Sequence, residues 1–398
     1  MSFSTFFRSL PARLARVTSG GKIIREIDGV RFLAIFFVVI QHLSERFSRI
    51  TPIVFRPGAE LDTATYITSH GFIGVHIFFV ISGFILGMPF AAYYLHEGRK
   101  VSLKSYFWRR VTRLEPPYII SLTLIAASLV VMGHFTRSEI GPHYLASLVY
   151  LHNIIFGWWS TINPPVWSLE IEVQFYIMAP FLALTFFKIK NKIVRRATFV
   201  SFIFLWMLLQ QYLGVPNVWS WLSLLGHLHL FLVGFILADI YLVEWKDGIK
   251  KHTVFNYLSL LALFTAVYFW SWNHYLINRL IFASSVFVMI YSIFRSTWVN
   301  RFITFPWITA IGGMCYSIYL IHLPILEFFV RLSKHIVVTD IFTVNYIIQF
   351  ILMTPLLLSI SIVFYLLIEK PCMYKDWPTK LRNYLMGKFL RRTPSEKI

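Results

Sequence analysis

An arginine and a histidine bracket one apolar run, RFLAIFFVVIQH, residues 31–42. On an α-helix, eleven residues make about three turns, so Arg31 and His42 project from one face roughly 16 Å apart. A guanidinium is a planar fork for anions. An imidazole changes charge near neutral pH and suits general-base or nucleophilic chemistry. An arginine at mid-membrane costs about 2.5–3.5 kcal/mol to insert, so this face is expected to meet protein or water. The plain readings are an Arg31 that snorkels to the interface and a His42 that is a hydrogen-bonded core residue.

Other polar groups sit in similarly apolar surroundings. In NPPVWSLEIEVQFYIMAP (163–180), Glu170 and Glu172 enter the outer part of a helix. Glu172 and Tyr176 are one turn apart on a shared face, whereas Glu170 suits a marker of the helix end. In GFIGVHIFFVISGFILG (71–87), Ser82 stands among Gly71, Gly74, Gly83 and Gly87, a pattern that also serves close helix packing. In WRRVTRLEPPY (108–118), Arg110 and Arg113 lie one turn apart with Arg109 beside them. They suit either a phosphate site or ordinary cytosolic positive charge. His227 and His229 fall on different helix faces, which disfavours a paired metal site, and His322 is a further buried histidine. No HExxH, CxxC or Gly-rich phosphate loop occurs, and no metal is expected.

The elements that must hold these groups are membrane helices. The 398 residues are 57% hydrophobic and only 14% charged, with a mean hydropathy of +0.65, far from the about 25% charge of soluble domains. No Asp, Glu, Lys or Arg occurs at 63–96, 116–136, 197–238, 252–278, 302–326 or 341–368. A spanning helix needs about 20 such residues. The pattern predicts an all-α polytopic membrane protein of about ten helices, near 27–46, 71–95, 116–134, 165–187, 198–213, 221–242, 254–271, 277–295, 305–329 and 345–368. GVPNVWS (214–220) supplies a break, and 143–160 reads as an interfacial or re-entrant piece. With the N-terminus inside, alternate loops hold 29 of the 37 lysines and arginines, so both termini are expected in the cytoplasm. The net charge of +19 is then positive-inside signal with affinity for anionic lipid, and calls for no nucleic acid. Cys315 and Cys372 fall in different environments, against a disulfide framework. The expected division is a basic cytosolic arm (1–26), a membrane domain (27–370) and a basic cytosolic tail (371–398).

Taken in order, these motifs resemble those of acyltransferase family 3, integral-membrane enzymes that acylate glycans and other acceptors from acyl-coenzyme A. The carrying residues are EIDGVR followed by Arg31-x10-His42, then FFVISGF (78–84), RVTRLEPPY, WSLEIEVQFY (167–176), YSIYLIHLPI (316–325) and EKP (369–371). The likeness covers about residues 25–370. It implies that His42 is catalytic, as general base or as an acylated intermediate, and that Glu172 rather than Glu170 is the family's glutamate. Under it, Arg110 and Arg113 would hold the nucleotide phosphates of acyl-CoA, most simply acetyl-CoA, with Ser82 nearby. Arg31 would contact the donor arm or the thioester oxygen, and Glu172 would orient His42 or bind acceptor. The acceptor would be a hydroxyl of a surface or lipid-linked glycan, such as a polysaccharide or the O-antigen of lipopolysaccharide, and the site a bacterial inner membrane. Glu115 stands where the family varies. The esterase-like domain that some members carry after the last span is not seen, which leaves the acceptor open.

Two rival functions remain. Acylation of a small molecule or a lipid differs only in acceptor. A transporter or flippase would also bury charge, but it calls for matching halves or broken helices at corresponding positions, and no internal repeat is visible.

Overall fold

The computed structural model describes residues 3–18, 23–51, 63–96, 98–214, 221–271 and 275–390. Among them there is no strand. The helices are α1 (Phe3–Leu14), α2 (Arg25–Ile50), α3 (Thr63–Ser69), α4 (Ile73–His96), α5 (Leu103–Val131), α6 (Arg137–Leu148), α7 (His152–Phe156) and α8 (Trp167–Phe187). They continue as α9 (Lys192–Tyr212), α10 (Leu224–Val243), α11 (Val254–Phe269), α12 (Leu276–Arg295), α13 (Trp298–Ile303), α14 (Pro306–Gly313) and α15 (Cys315–Ser333). The last are α16 (Phe342–Phe364), extended by a π-helical stretch Tyr365–Glu369, and α17 (Trp377–Leu390).

Nine of the described helices are long and apolar enough to cross a bilayer, and the chain is a multi-pass membrane protein. The tenth expected span is α11, a helix of 16 residues. The expected span 305–329 is interrupted at Met314, between α14 and α15. The break sits where Gly312 lies against the Asp28 carbonyl of α2, too close for a Cβ. Residues 215–220 of the expected GVPNVWS break lie outside the described residues. The piece 143–160 folds as the end of α6, the short α7 and a loop.

α4 lies against α10 and α2, and there the small residues are explained. A Cβ on Gly83 would strike the Phe231 carbonyl, and one on Gly234 the Val80 carbonyl. Close backbone approach through small residues is how membrane helices gain packing without a hydrophobic driving force. Outward faces are apolar, as lipid requires: Phe181 is 62% exposed, Phe264 67% and Leu367 71%. At one end of the bundle, Arg195 (1% exposed) and Arg196 both engage the fully buried Asp239, joining α9 to α10 at 2.5 and 2.6 Å.

Candidate active site

α2 runs unbroken from Arg31 to His42, so the helix itself fixes their separation. At the His42 end, the imidazole lies beside His322 of α15, ring centroids 5.0 Å apart. His322 Nδ1 faces the Tyr319 carbonyl at 2.8 Å and the Ile318 carbonyl at 3.2 Å. Carbonyls only accept, so Nδ1 carries the hydrogen and Nε2 is left as a bare lone pair. That Nε2 and His42 Nδ1 are both buried with no hydrogen-bond partner among the described residues. Two unsatisfied imidazole nitrogens in a protein interior are exceptions that ask for an explanation.

A recess of about 250 Å³ opens beside His42, walled by Val38, Phe72, Pro165, Trp167 and Tyr319. The NPP turn holds this wall in place. Tyr319 donates its hydroxyl to the Pro165 carbonyl, Ser168 meets the same hydroxyl at 2.6 Å, and the Asn163 amide donates to the Leu320 carbonyl at 2.9 Å. One turn beyond His42, Arg46 pairs with Glu327 of α15 at 3.0 Å, and it is the charge that acts on the His42 ring. The Tyr346 hydroxyl donates to the Ile40 carbonyl at 3.0 Å, tying α16 to the same part of α2.

The other expected residues form a second group toward the Arg31 end. Ser82 donates to Glu172 Oε1 at 2.5 Å, and Tyr176 also hydrogen-bonds Glu172. Arg110 lies over the Tyr106 ring at 3.6 Å and faces the Tyr176 ring at 5.2 Å. It donates to the Tyr106 carbonyl at 2.8 Å, and the Tyr106 hydroxyl donates to the Tyr176 carbonyl at 3.1 Å. The Glu172 carboxylate acts electrostatically on Arg31 and Arg110, while Arg113 acts on Arg16 and Glu369. Arg113 Nε is buried without a hydrogen-bond partner among the described residues. Glu172 therefore bonds Ser82 and Tyr176, not His42. It begins about one and a half turns deeper along α8 than Trp167, which walls the recess.

Glu170 has a different task. It is fully buried and accepts the Asn153 amide at 2.8 Å, closing the first turn of α7. This is a structural role in the first turn of α8, where the family's glutamate was not expected to be.

Four residues were not assigned to the site by sequence reasoning: Asp28, Arg16, Tyr319 and His322. Asp28 is 2% exposed and pairs with Arg31 at 2.9 Å and with Arg16 at 2.8 Å. The Asp28–Arg31 spacing of one helical turn was a readable signal; Arg16, arriving from beyond α1, had none. Tyr319 and His322, also one turn apart, were visible in YSIYLIHLPI, but their place against His42 was not. Burial lowers the Arg16 pKa to about 10, with the Arg31 charge pushing the same way and Asp28 opposing.

The chain thus carries four basic side chains at one end of its bundle, a histidine pair at the other and a hydrogen-bonded glutamate between. No solved structure matches it significantly. It is similar to O-acetyltransferase OatA of Staphylococcus aureus strain NCTC 8325, 27% identical over 383 residues, covering 88% of this chain and 57% of that protein. A putative O-acetyltransferase of strain COL is 25% identical over 333 residues, covering 76% of this chain and 50% of its own. The chain accordingly spans about half the length of these curated relatives. The model of the acyltransferase 3 family, an acyltransferase domain, matches residues 24–366. The helices that carry Arg31, His42, Arg110, Arg113 and Glu172 lie inside that match, and the chain belongs to the acyltransferase 3 family.

Proposed function

We propose that the chain transfers an acetyl group from acetyl-CoA to a hydroxyl of a surface or lipid-linked glycan, at a bacterial inner membrane, with both termini cytoplasmic. The observation that carries this reading is the unpartnered His42–His322 pair, set on the recess and reached from the arginine cluster along a single helix. Arg110 and Arg113, with Arg16 and Arg31 behind them, supply the charge that holds the phosphates of CoA. The pantetheine arm, uncharged and thin, extends past Glu172 and Ser82 toward His42. Family membership and the relatives' names support O-acetyl transfer to a hydroxyl; the glycan that carries the hydroxyl is part of the proposal.

His42 takes the proton of the acceptor hydroxyl as that oxygen attacks the thioester carbonyl. The C–O bond forms, the C–S bond breaks, and the proton passes from His42 to the departing thiolate, giving the ester and free CoA. General-base catalysis of this kind is worth about 10²–10⁴ in rate. His322 packs against the ring, centroids 5.0 Å apart, and steadies it by contact.

The test uses the full chain in membrane vesicles, [¹⁴C-acetyl]-CoA and the native surface glycan. Label on glycan hydroxyls, absent with His42→Gln, supports the reading. Acetyl trapped on His42 in a quenched reaction would replace direct transfer by a two-step relay. Label on a lipid or small molecule, with none on glycan, would overturn the acceptor assignment.

A further inference from the structure

A second cavity, about 490 Å³, is larger than the recess at His42. Its walls include His76, Gln210, Trp221, Trp270, Asn278 and Arg279. All of these lie at the end of the bundle where α2, α9 and α11 finish and where α4, α8, α10 and α12 begin, the end that also holds His42. The two spaces back onto one aromatic wall. Phe72 and Trp167 line the recess; they stack on Trp270 and Trp221 of the cavity, centroids 5.9 Å apart in each case.

Arg279 is the unusual member. At the opposite end Arg110 and Arg113 lack ion pairs among the described residues, but there the donor phosphates are expected, whereas Arg16 and Arg31 pair with Asp28, Arg46 with Glu327, and Arg195 and Arg196 with Asp239. Arg279 has no carboxylate partner among the described residues. Its Nη2 donates to the Gln210 side-chain oxygen, an atom turned to it because the Gln210 amide nitrogen donates to the Leu225 carbonyl. Its Nη1 is buried at the cavity wall with no hydrogen-bond partner among the described residues. A guanidinium out of water and lacking an anion is a strained arrangement that a bound anion would relieve. Trp221 and Trp270 beside it, backed by Trp167 and Phe72, give the cavity an apolar aromatic wall with a few placed polar groups, the lining that suits a sugar ring.

We propose that this cavity binds a sugar residue of the acceptor through an anionic substituent, carboxylate or phosphate, held by Arg279. It would so position a neighbouring hydroxyl for the recess at His42. The proposal rests on the reading of the chain as a glycan acyltransferase.

The test is saturation-transfer NMR on the purified full chain in micelles, with three probes: methyl β-D-glucuronoside, methyl β-D-glucoside and glycerol 1-phosphate. The wild-type protein should bind an anionic probe about tenfold or more tightly than the glucoside. Preference for the glucuronoside assigns a carboxylate, and preference for glycerol phosphate a phosphate; either supports the proposal. Equal binding of all three overturns it without any variant. Arg279→Gln, checked for folding by thermal unfolding, should lower the anionic probes to the glucoside level, and Arg279→Lys should keep part. Undiminished anion binding in folded Arg279→Gln overturns it. Acetyl-CoA affinity is measured on the same samples, so a wild-type protein that binds anionic sugar but no acetyl-CoA counts against the donor reading alone.

Discussion

Asp28 is the residue whose loss reads out most directly how the arginine end of the bundle is held. Asp28→Asn keeps shape and removes one charge from a carboxylate that is 3% exposed and lies 2.8 Å from Arg16 Nε and 2.9 Å from Arg31 Nη1. At an effective dielectric of about 20, each pair carries about 4 kcal/mol of Coulomb attraction. Part is offset, because the two arginines repel each other and because the Arg31 side chain is 16% exposed and stays partly solvated. Removing one partner of a buried pair costs about 3–5 kcal/mol, and that is the expected loss, most of it from Arg16, whose side chain is 7% exposed. Equilibrium unfolding of the purified full chain in mixed micelles measures it. Adding Arg16→Met to Asp28→Asn removes the stranded charge and should recover a large share of the loss. A loss below about 1 kcal/mol, the size of an exposed ion pair, or a double variant no better than the single, would show that Asp28 is not the electrostatic centre of this end.

Further outcomes follow from the same geometry. His42→Gln should lower acyl transfer by about 10²–10⁴ at normal membrane levels, and Arg31→Lys, which keeps charge but loses the fork, should impair it severely; full activity of either in vesicles would return that residue to a packing role. Arg113→Ala should weaken acetyl-CoA binding by about 1.5–3 kcal/mol in titration calorimetry, whereas Arg110→Ala should also loosen the Tyr106 stack and lower thermal stability. Burial, and then the charge of His143 at 2.8 Å, hold the His152 pKa down at about 4. Its unfolded value is near 6.5, so acidification protonates the opened form first: stability of the α6–α7 region is complete above about pH 6.5 and declines toward pH 4. Hydrogen exchange of the 152–156 amides should quicken across that window, and exchange that stays flat would refute the assignment.

The membrane architecture was legible because lipid leaves few options. Uncharged runs of about 20 residues must be helices in a bilayer, and α2, α4, α8, α10 and α16 fall where hydropathy placed them. Arg31 and His42 on one face needed only the 3.6-residue period, since both belong to one helix. Ser82, Arg110, Arg113 and Glu172 were also chosen by type and spacing, but spacing within a segment says nothing about partners from another. That Glu172 meets Ser82 and leaves His42 to His322 depends on how α4, α8 and α15 pack around α2. Likewise Asp28 gathers Arg16 from across a chain break in helicity, and Arg279 faces a cavity built from five separate helices. Glu170 and Glu172 show the limit most plainly. They are the same residue type two positions apart, so α-helical geometry turns them about 200° from each other. One closes α7 and the other lies on the path between the arginines and the histidines, a difference that only the neighbours of α8 create.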